Sequence, residues 1–367
     1  MKRAKTETPR YVGVDLGKRT YVAAFVDGKG KVTMGNGTTG AAGRQALYGK
    51  LRPTDKVALE AGNMAFVMAK EIGATVGCTV YVLNPSGLAV IYRSMKKTDK
   101  EDALKLAHIL EDCREERLPT VPVPSDEEMA KRKLVSSHRR EQKCRTAAIN
   151  RLHGMFVSQG ITSMVRKDLA TAGERRTAVE KLAGLERKEA EHLLKCLVLH
   201  EERIAELEAE MAEEVAGSAE IDLLRTVPGV GPKVSFAFFA YVRPERFENA
   251  SQVSNYLGLA PRVYMSGDTV RYGRITKSGN GYVRALLVQA AWALVRSKAG
   301  GRLKERYEEM TAKKGMSKKK AIVALARRIA ELMYVLMRDG KKYDARPPAP
   351  GRQKQGGEAL AVEALVA

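Results

Sequence analysis

The chain has 367 residues, 44% hydrophobic and 29% charged, which is enough length and apolar content for more than one domain with its own core. Its 64 Lys and Arg outnumber its 43 Asp and Glu, a formal net charge of +21, and such an excess favours a polyanionic partner because each cation set against a phosphate releases a condensed counterion. No apolar run reaches the roughly 18 residues that span a bilayer, and the opening MKRAKTETPR lacks the apolar core of a signal peptide, so membrane attachment gives way to nucleic-acid binding in the cytoplasm, at the nucleoid.

RYVGVDLG and TYVAAFVDG alternate apolar and small residues around a tight turn and predict two antiparallel strands, with GKVTMGNG as a third. AAGRQALYGKL predicts a helix, KVALEA a strand, MAFVMAKEIGA a helix and CTVYVLNP a strand stopped by Asn84-Pro85. After LAVIYRSMKKT, a further helix covers DKEDALKLAHILED. Three antiparallel strands followed by alternating helices and strands are the order of an RNase H-like α/β domain, assigned here to residues 1–124.

LPTVPVPSDEE is a proline-rich break with Ser125 as a helix N-cap. Residues 125–217 show no strand pattern. EEMAKRKLVSSHRREQKCRTAAINRLHGMF predicts a basic helix, and a second helix sets Leu193, Leu197, Ile204, Leu207 and Met211 at the spacing of a coiled-coil seam, with His200 as a packing residue. The two read as an antiparallel hairpin or a dimerisation arm. Residues 218–345 form a mostly helical third unit, opening with LLRTVPGVGPKVSFAFFAYV and closing with KKKAIVALARRIAELMYVLMRDG. The Pro-, Gly- and Ala-rich residues 346–367 read as a mobile tail. Cys78, Cys113, Cys144 and Cys196 make no CxxC or zinc spacing, and the five histidines are scattered, so a Cys/His metal site is not expected.

The carboxylates are more informative. Asp15 ends the first strand, Glu60 ends KVALE, and Asp99 and Asp102 lie one turn apart at the start of a helix. Gathered together, the four form a hard oxygen site of high negative charge, suited to two Mg²⁺ (or Mn²⁺) ions serving a phosphodiester displacement. Taken singly, Asp15 reads as a turn former or helix cap, Asp99 and Asp102 as favourable charge at a helix start, and Glu60 says nothing. A strand ending in Asp-Leu-Gly also opens sugar kinases and actin-like ATPases. That fold needs a second phosphate loop and a duplicated α/β unit, and the later SGDTVRYGR and PGVGPK do not sit in the required strand context. The nuclease-like reading is preferred. VPGVGPK has the form of a helix-hairpin-helix turn, with Gly229 and Gly231 allowing a phosphate to approach and Lys233 opening the next helix; a tight turn between helices with no ligand fits these residues as well.

GVDLGK, ALEAG and KTDKEDA, followed by TVPGVGPKVSFAFFAYV, YLGLAPRVYMSGDTVRYGRITKSGNGYVRALLVQAAW and KKGMSKKKAIVALARRIAELMYVLM, resemble the DEDD insertion-sequence transposases. These are also called bridge-RNA-guided recombinases and include the Piv-type invertases. The resemblance covers all but the helical middle and the tail; EAGNMA stands where the family more often has Glu-Ala-Thr-Gly. It implies a RuvC-like N-terminal domain with Asp15, Glu60, Asp99 and Asp102 as catalytic metal ligands. It also implies a C-terminal serine domain in which Ser266, by its own context an ordinary turn residue, attacks DNA and forms a covalent phosphoserine. Arg262, Lys277 and Arg284 match the family's run and are candidate phosphate clamps. The implied partners are donor and target DNA, a structured noncoding guide RNA, and further copies of the chain in a homodimer or tetramer whose active site is shared between protomers. The alternative is a junction-resolvase-like nuclease using the same acids with water as nucleophile; a non-catalytic nucleic-acid-binding protein is the third reading.

Overall fold

The computed structural model describes residues 9–62, 64–91, 98–266 and 269–345. The expected mobile tail at 346–367 and the centre of the Ser-Gly-Asp turn lie outside the described residues. The chain divides into two compact units between Ser125 and Asp126.

The first unit contains β1 (Tyr11–Leu16), β2 (Thr20–Val26), β3 (Val32–Thr38), α1 (Ala41–Tyr48), β4 (Lys56–Glu60), α2 (Ala65–Thr75), β5 (Thr79–Leu83), α3 (Pro85–Ile91) and α4 (Asp99–Asp112). The strands form one mixed sheet in the order β3-β2-β1-β4-β5. β1, β2 and β3 are antiparallel neighbours, while β4 and β5 extend the sheet in parallel from β1. The mixture follows from the connections. A tight turn, in which Gly17 N–H donates to Thr20 O at 2.9 Å, joins β1 to β2. At the next turn Asp27 Oδ1 accepts from the N–H groups of Lys29 and Lys31, both at 2.9 Å. Parallel strands cannot be joined so briefly, and helices make the crossovers.

Strand alternation sends two sets of side chains to opposite faces. Val12 and Val14 of β1, Tyr21, Ala23 and Phe25 of β2, and Val57 and Leu59 of β4 pack with Leu47 of α1 and Met68 and Ile72 of α2. Ala24 and Val26 of β2 and Ala58 of β4 meet α4 on the other face, through Ala103, Ala107 and Leu106. Gly13 belongs to this second set. A Cβ there would run into the carbonyl oxygen of Ala103 and stand 2.5 Å from the amide nitrogen of Ala107. Only glycine lets α4 lie this close to β1.

The second unit contains α5 (Asp126–Ser158), α6 (Ala172–Val179), α7 (Gly184–Glu213), α8 (Ala219–Arg225), α9 (Pro232–Tyr241), α10 (Ala250–Tyr256), β6 (Pro261–Ser266), β7 (Thr269–Ile275), α11 (Gly281–Arg296), α12 (Gly301–Glu308) and α13 (Lys318–Asp339). α5 and α7 pack antiparallel: His138 pairs with Glu208 at 3.0 Å and Arg145 with Glu201 at 2.8 Å, numbers rising on one helix as they fall on the other. Leu193, Leu197, Ile204, Leu207 and Met211 are all buried. His200 differs from its expected packing role, because its ring reaches Glu141 Oε2 at 2.8 Å and stays partly exposed. α13 is the core of the C-terminal half, buried along most of its length, and its Tyr334 hydroxyl donates to Phe247 O at 2.8 Å. A mixed five-stranded sheet followed by a largely helical unit agrees with the expected fold class.

Candidate active site

Register places the first two acids. β1 and β4 pair in parallel with Val14 opposite Leu59, so the next residue on each strand is an acid, Asp15 beside Glu60. Neighbouring strands lie about 4.8 Å apart. By parity both carboxylates belong to the set that includes Gly13 and Ala58, the face covered by α4. The helix supplies the other two acids. Because Gly13 packs against Ala103 and Ala107, the start of α4 lies toward the end of β1 that carries Asp15. Thr98 caps this helix, its hydroxyl accepting from Glu101 N–H at 3.3 Å, with Asp99 and Asp102 in the first turn. Negative charge at a helix N-terminus is favourable and partly offsets the repulsion among the acids.

Asp15 feels the whole set. Burial raises its carboxyl pKa above the usual range, and the charges of Asp99, Asp102 and Glu60 raise it further, against a backbone hydrogen bond from Leu16 that lowers it. Asp15, Glu60 and the turn after β1 line an open cavity of about 730 Å³, together with Lys18 and Gly62. That volume falls within the range of ligand-sized sites. Glu60 and Asp99 are exposed, whereas Asp15 and Asp102 are half-buried. Among the described residues, no group of three or more His, Cys, Asp or Glu side chains is arranged to hold a metal ion. The site's donor chemistry, four carboxylates with Asp15 raised by the other three, suits a hard divalent cation.

Lys105 and Lys18 were not anticipated from sequence. Lys105 Nζ donates to Asp102 Oδ1 at 2.7 Å, setting a cation beside one of the four acids. The three-residue spacing is visible in the sequence, but it is also an ordinary surface ion-pair spacing on a helix.

In the second unit, β6 and β7 form an antiparallel hairpin that pairs Ser266 with Thr269 and Tyr264 with Arg271. Val263, Tyr264, Met265 and Tyr272 are exposed on it, as is Arg262. Lys277, in the loop after β7, has φ 59° and is the one non-glycine residue with positive φ among the described residues. Such strain persists where surrounding structure enforces it, often at functional sites. Here Lys277 N–H donates to Gly258 O at 3.1 Å. Arg284 is partly buried, its Nη1 donating to Leu257 O at 3.0 Å and to Ser278 O. Gly229, with φ 86°, sits where a Cβ would strike the carbonyl oxygen of Ala290 and stand 2.8 Å from Leu294 N, so the turn is pressed against α11. Gly231 faces open space, and Lys233 pairs with Glu208 at 3.0 Å. The structure thus brings the four acids into one region of the first unit, while the six candidate nucleic-acid contacts spread over two turns, a strand and two helices of the second.

A family model described as "Transposase IS116/IS110/IS902 family" matches residues 221–308, and a DEDD transposase model of the IS110 type matches residues 12–161. The chain is 31% identical over 290 residues to the "Probable family 20 transposase" of Pseudomonas aeruginosa, across 78% of this chain and 84% of that protein. The chain belongs to the IS116/IS110/IS902 transposase family. It is also similar to the "Transposase for insertion sequence element IS1111A" of Coxiella burnetii, 27% identical over 69% of this chain and 70% of that one. The "Pilin gene-inverting protein" of Moraxella bovis is 29% identical over 34% of this chain and 38% of its own. As a transposase of this family, the protein is a DNA strand-cleaving enzyme. The DEDD match spans Asp15, Glu60, Asp99 and Asp102, and the second match spans Ser266.

Proposed function

We propose that this transposase cuts and rejoins DNA strands through a covalent phosphoserine at Ser266, with Asp15, Glu60, Asp99 and Asp102 holding divalent metal in an RNase H-like, RuvC-like first domain. The observation that supports this reading is the strand register that sets Asp15 beside Glu60 on the face covered by α4, whose first turn carries Asp99 and Asp102. Rotation of the exposed Glu60 and Asp99 side chains toward Asp15 and Asp102 would close the set. Mg²⁺ bound there, two per site or Mn²⁺ in its place, would supply positive charge for the oxygens that gain charge during displacement.

In the first step Ser266 Oγ gives up its proton to solvent and attacks phosphorus. The Oγ–P bond forms as the phosphodiester P–O bond breaks, and the released strand end takes up a proton as a free hydroxyl. The serine ester conserves the bond energy, so a hydroxyl from another strand can attack in turn and regenerate the serine without ATP. Arg262, Lys277 and Arg284 would hold phosphates near the hairpin, and the turn of Gly229, Gly231 and Lys233 would act as a helix-hairpin-helix contact. The helical coiled-coil middle, residues 125–217, would link the catalytic domain, 1–124, to the serine domain, 218–345, along the chain.

The partners on this reading are donor and target DNA, a structured noncoding RNA that reads sequence by pairing, and further copies of the chain in a dimer or tetramer. The basic composition and the family's resemblance support the RNA. Incubation with end-labelled element DNA, followed by denaturing electrophoresis, tests the chemistry. Wild type gives a protein-linked DNA band, and Ser266→Ala gives neither that band nor cleavage. Cleavage persisting in Ser266→Ala, with loss in Asp102→Asn, would replace this reading with a water-using nuclease.

A further inference from the structure

Three guanidinium groups gather at the base of the β6–β7 hairpin, and among the described residues no carboxylate is paired to any of them. Arg132 of α5 donates from Nε to Ala240 O at 3.1 Å and lies 5.2 Å over the Tyr241 ring. Arg139, two turns on, lies 6.0 Å over the ring of Tyr282 and makes no hydrogen bond or ion pair among the described residues. Arg284 of α11 spends its hydrogen bonds on the carbonyls of Leu257 and Ser278. The acids nearby are engaged elsewhere: Glu128, whose charge reaches Tyr256, with Arg243 and Arg246 at 3.1 and 2.8 Å, and Glu208, whose charge reaches Tyr282, with His138 and Lys233, both at 3.0 Å.

We infer that Arg132, Arg139 and Arg284 form a binding site for the phosphodiester backbone of DNA flanking the position of strand exchange. Like charges drawn from two helices into a partly buried region cost free energy unless an anion joins them. The depressed pKa of Arg284, caused by burial and then by Arg139, shows the same missing counter-charge. Rings beneath Arg132 and Arg139 fix the guanidinium planes, and a held planar fork suits phosphate oxygens better than a free lysine would. His138 is a positioning residue. It is 2% exposed, with Nδ1 2.7 Å from the Tyr282 hydroxyl and Nε2 3.0 Å from Glu208, so it holds the ring on which Arg139 rests. β7 runs from Thr269, the partner of Ser266, to Ile275 at the base. Six strand steps cover ~20 Å, so the phosphate held here is a neighbour along the strand and not the one attacked.

The inference rests on the proposed role of Ser266, and its test is independent of that chemistry. Fluorescence anisotropy of the full chain with a fluorescein-labelled DNA duplex, over a KCl series, reads the slope of log K against log salt. Each lost phosphate contact lowers its magnitude by about 0.9. Arg139→Gln should lower it by about 0.9, Arg132→Gln/Arg139→Gln by about twice that, and Arg139→Lys should keep the wild-type slope. Should the double variant unfold, Arg139→Gln decides alone, since that side chain makes no hydrogen bond or ion pair among the described residues. A wild-type slope in Arg139→Gln overturns the site, as does a drop seen only with a single-stranded RNA probe. The serine adduct is assayed separately, so this failure would leave the strand-transfer reading standing.

Discussion

Asp15 carries opposed costs and uses. Burial and three neighbouring acids hold its pKa up, so the folded, metal-free protein binds a proton there more tightly than the unfolded chain does. By linkage, this group's contribution to stability rises as pH falls through the raised value and is lost above it. Asp15→Asn should therefore raise the melting temperature in EDTA at neutral pH by a few degrees, flatten that part of the pH dependence, and abolish DNA cleavage. Thermal melts across pH and the gel assay check the two halves. Adding Mg²⁺ should raise the melting temperature of the wild type, by selective binding to the folded state, and leave Asp15→Asn nearly unmoved. Asp99 and Asp102 stand out in the sequence as like charges one helical turn apart, although acids at a helix start are ordinary when taken singly. Glu60 was legible only by association, since one acid at a strand end says little. Lys105 escaped notice because an Asp–Lys pair three residues apart looks like any surface pair.

At the scale of elements, the glycine under α4 is the most sensitive joint. Gly13→Val would drive side-chain atoms into the backbone of Ala103 and Ala107. It should cost about 1–3 kcal/mol in urea unfolding. It should also cut cleavage by about 100-fold, because Asp99 and Asp102 would be displaced from Asp15. By contrast, Leu197→Ala, at a fully buried seam position, should cost about 2–5 kcal/mol while leaving Mg²⁺ stabilisation intact. The long elements were legible because period-2 and heptad patterns survive over many residues. α3, α10 and α12, of 7 or 8 residues, were not. Helices that short are marginal alone and form largely through packing, although α1, of 8 residues, carried a readable pattern.

At the scale of the molecule, the excess of basic residues sets the terms of association. With several phosphates neutralised, raising KCl from about 50 to 200 mM should weaken duplex binding by roughly 1,000-fold or more, measurable by the same anisotropy titration. The break after the first α/β unit was legible from its prolines, and the structure divides at Ser125 and Asp126. The gathering of cations at the hairpin base was not, since Arg132 and Arg284 are 152 positions apart (284 − 132) and only the packing of α5 against the C-terminal helices joins them.

The parity of the five-stranded sheet gives the enzyme two surfaces that can vary independently. Valines and aromatics on the α1–α2 side can be exchanged for others of similar bulk without redirecting an acid. A one-residue insertion within β1 would turn Asp15 away from its partners and bury its charge among hydrocarbon. A mutational library of this domain should thus tolerate conservative swaps along β1 but reject every single-residue change in its length.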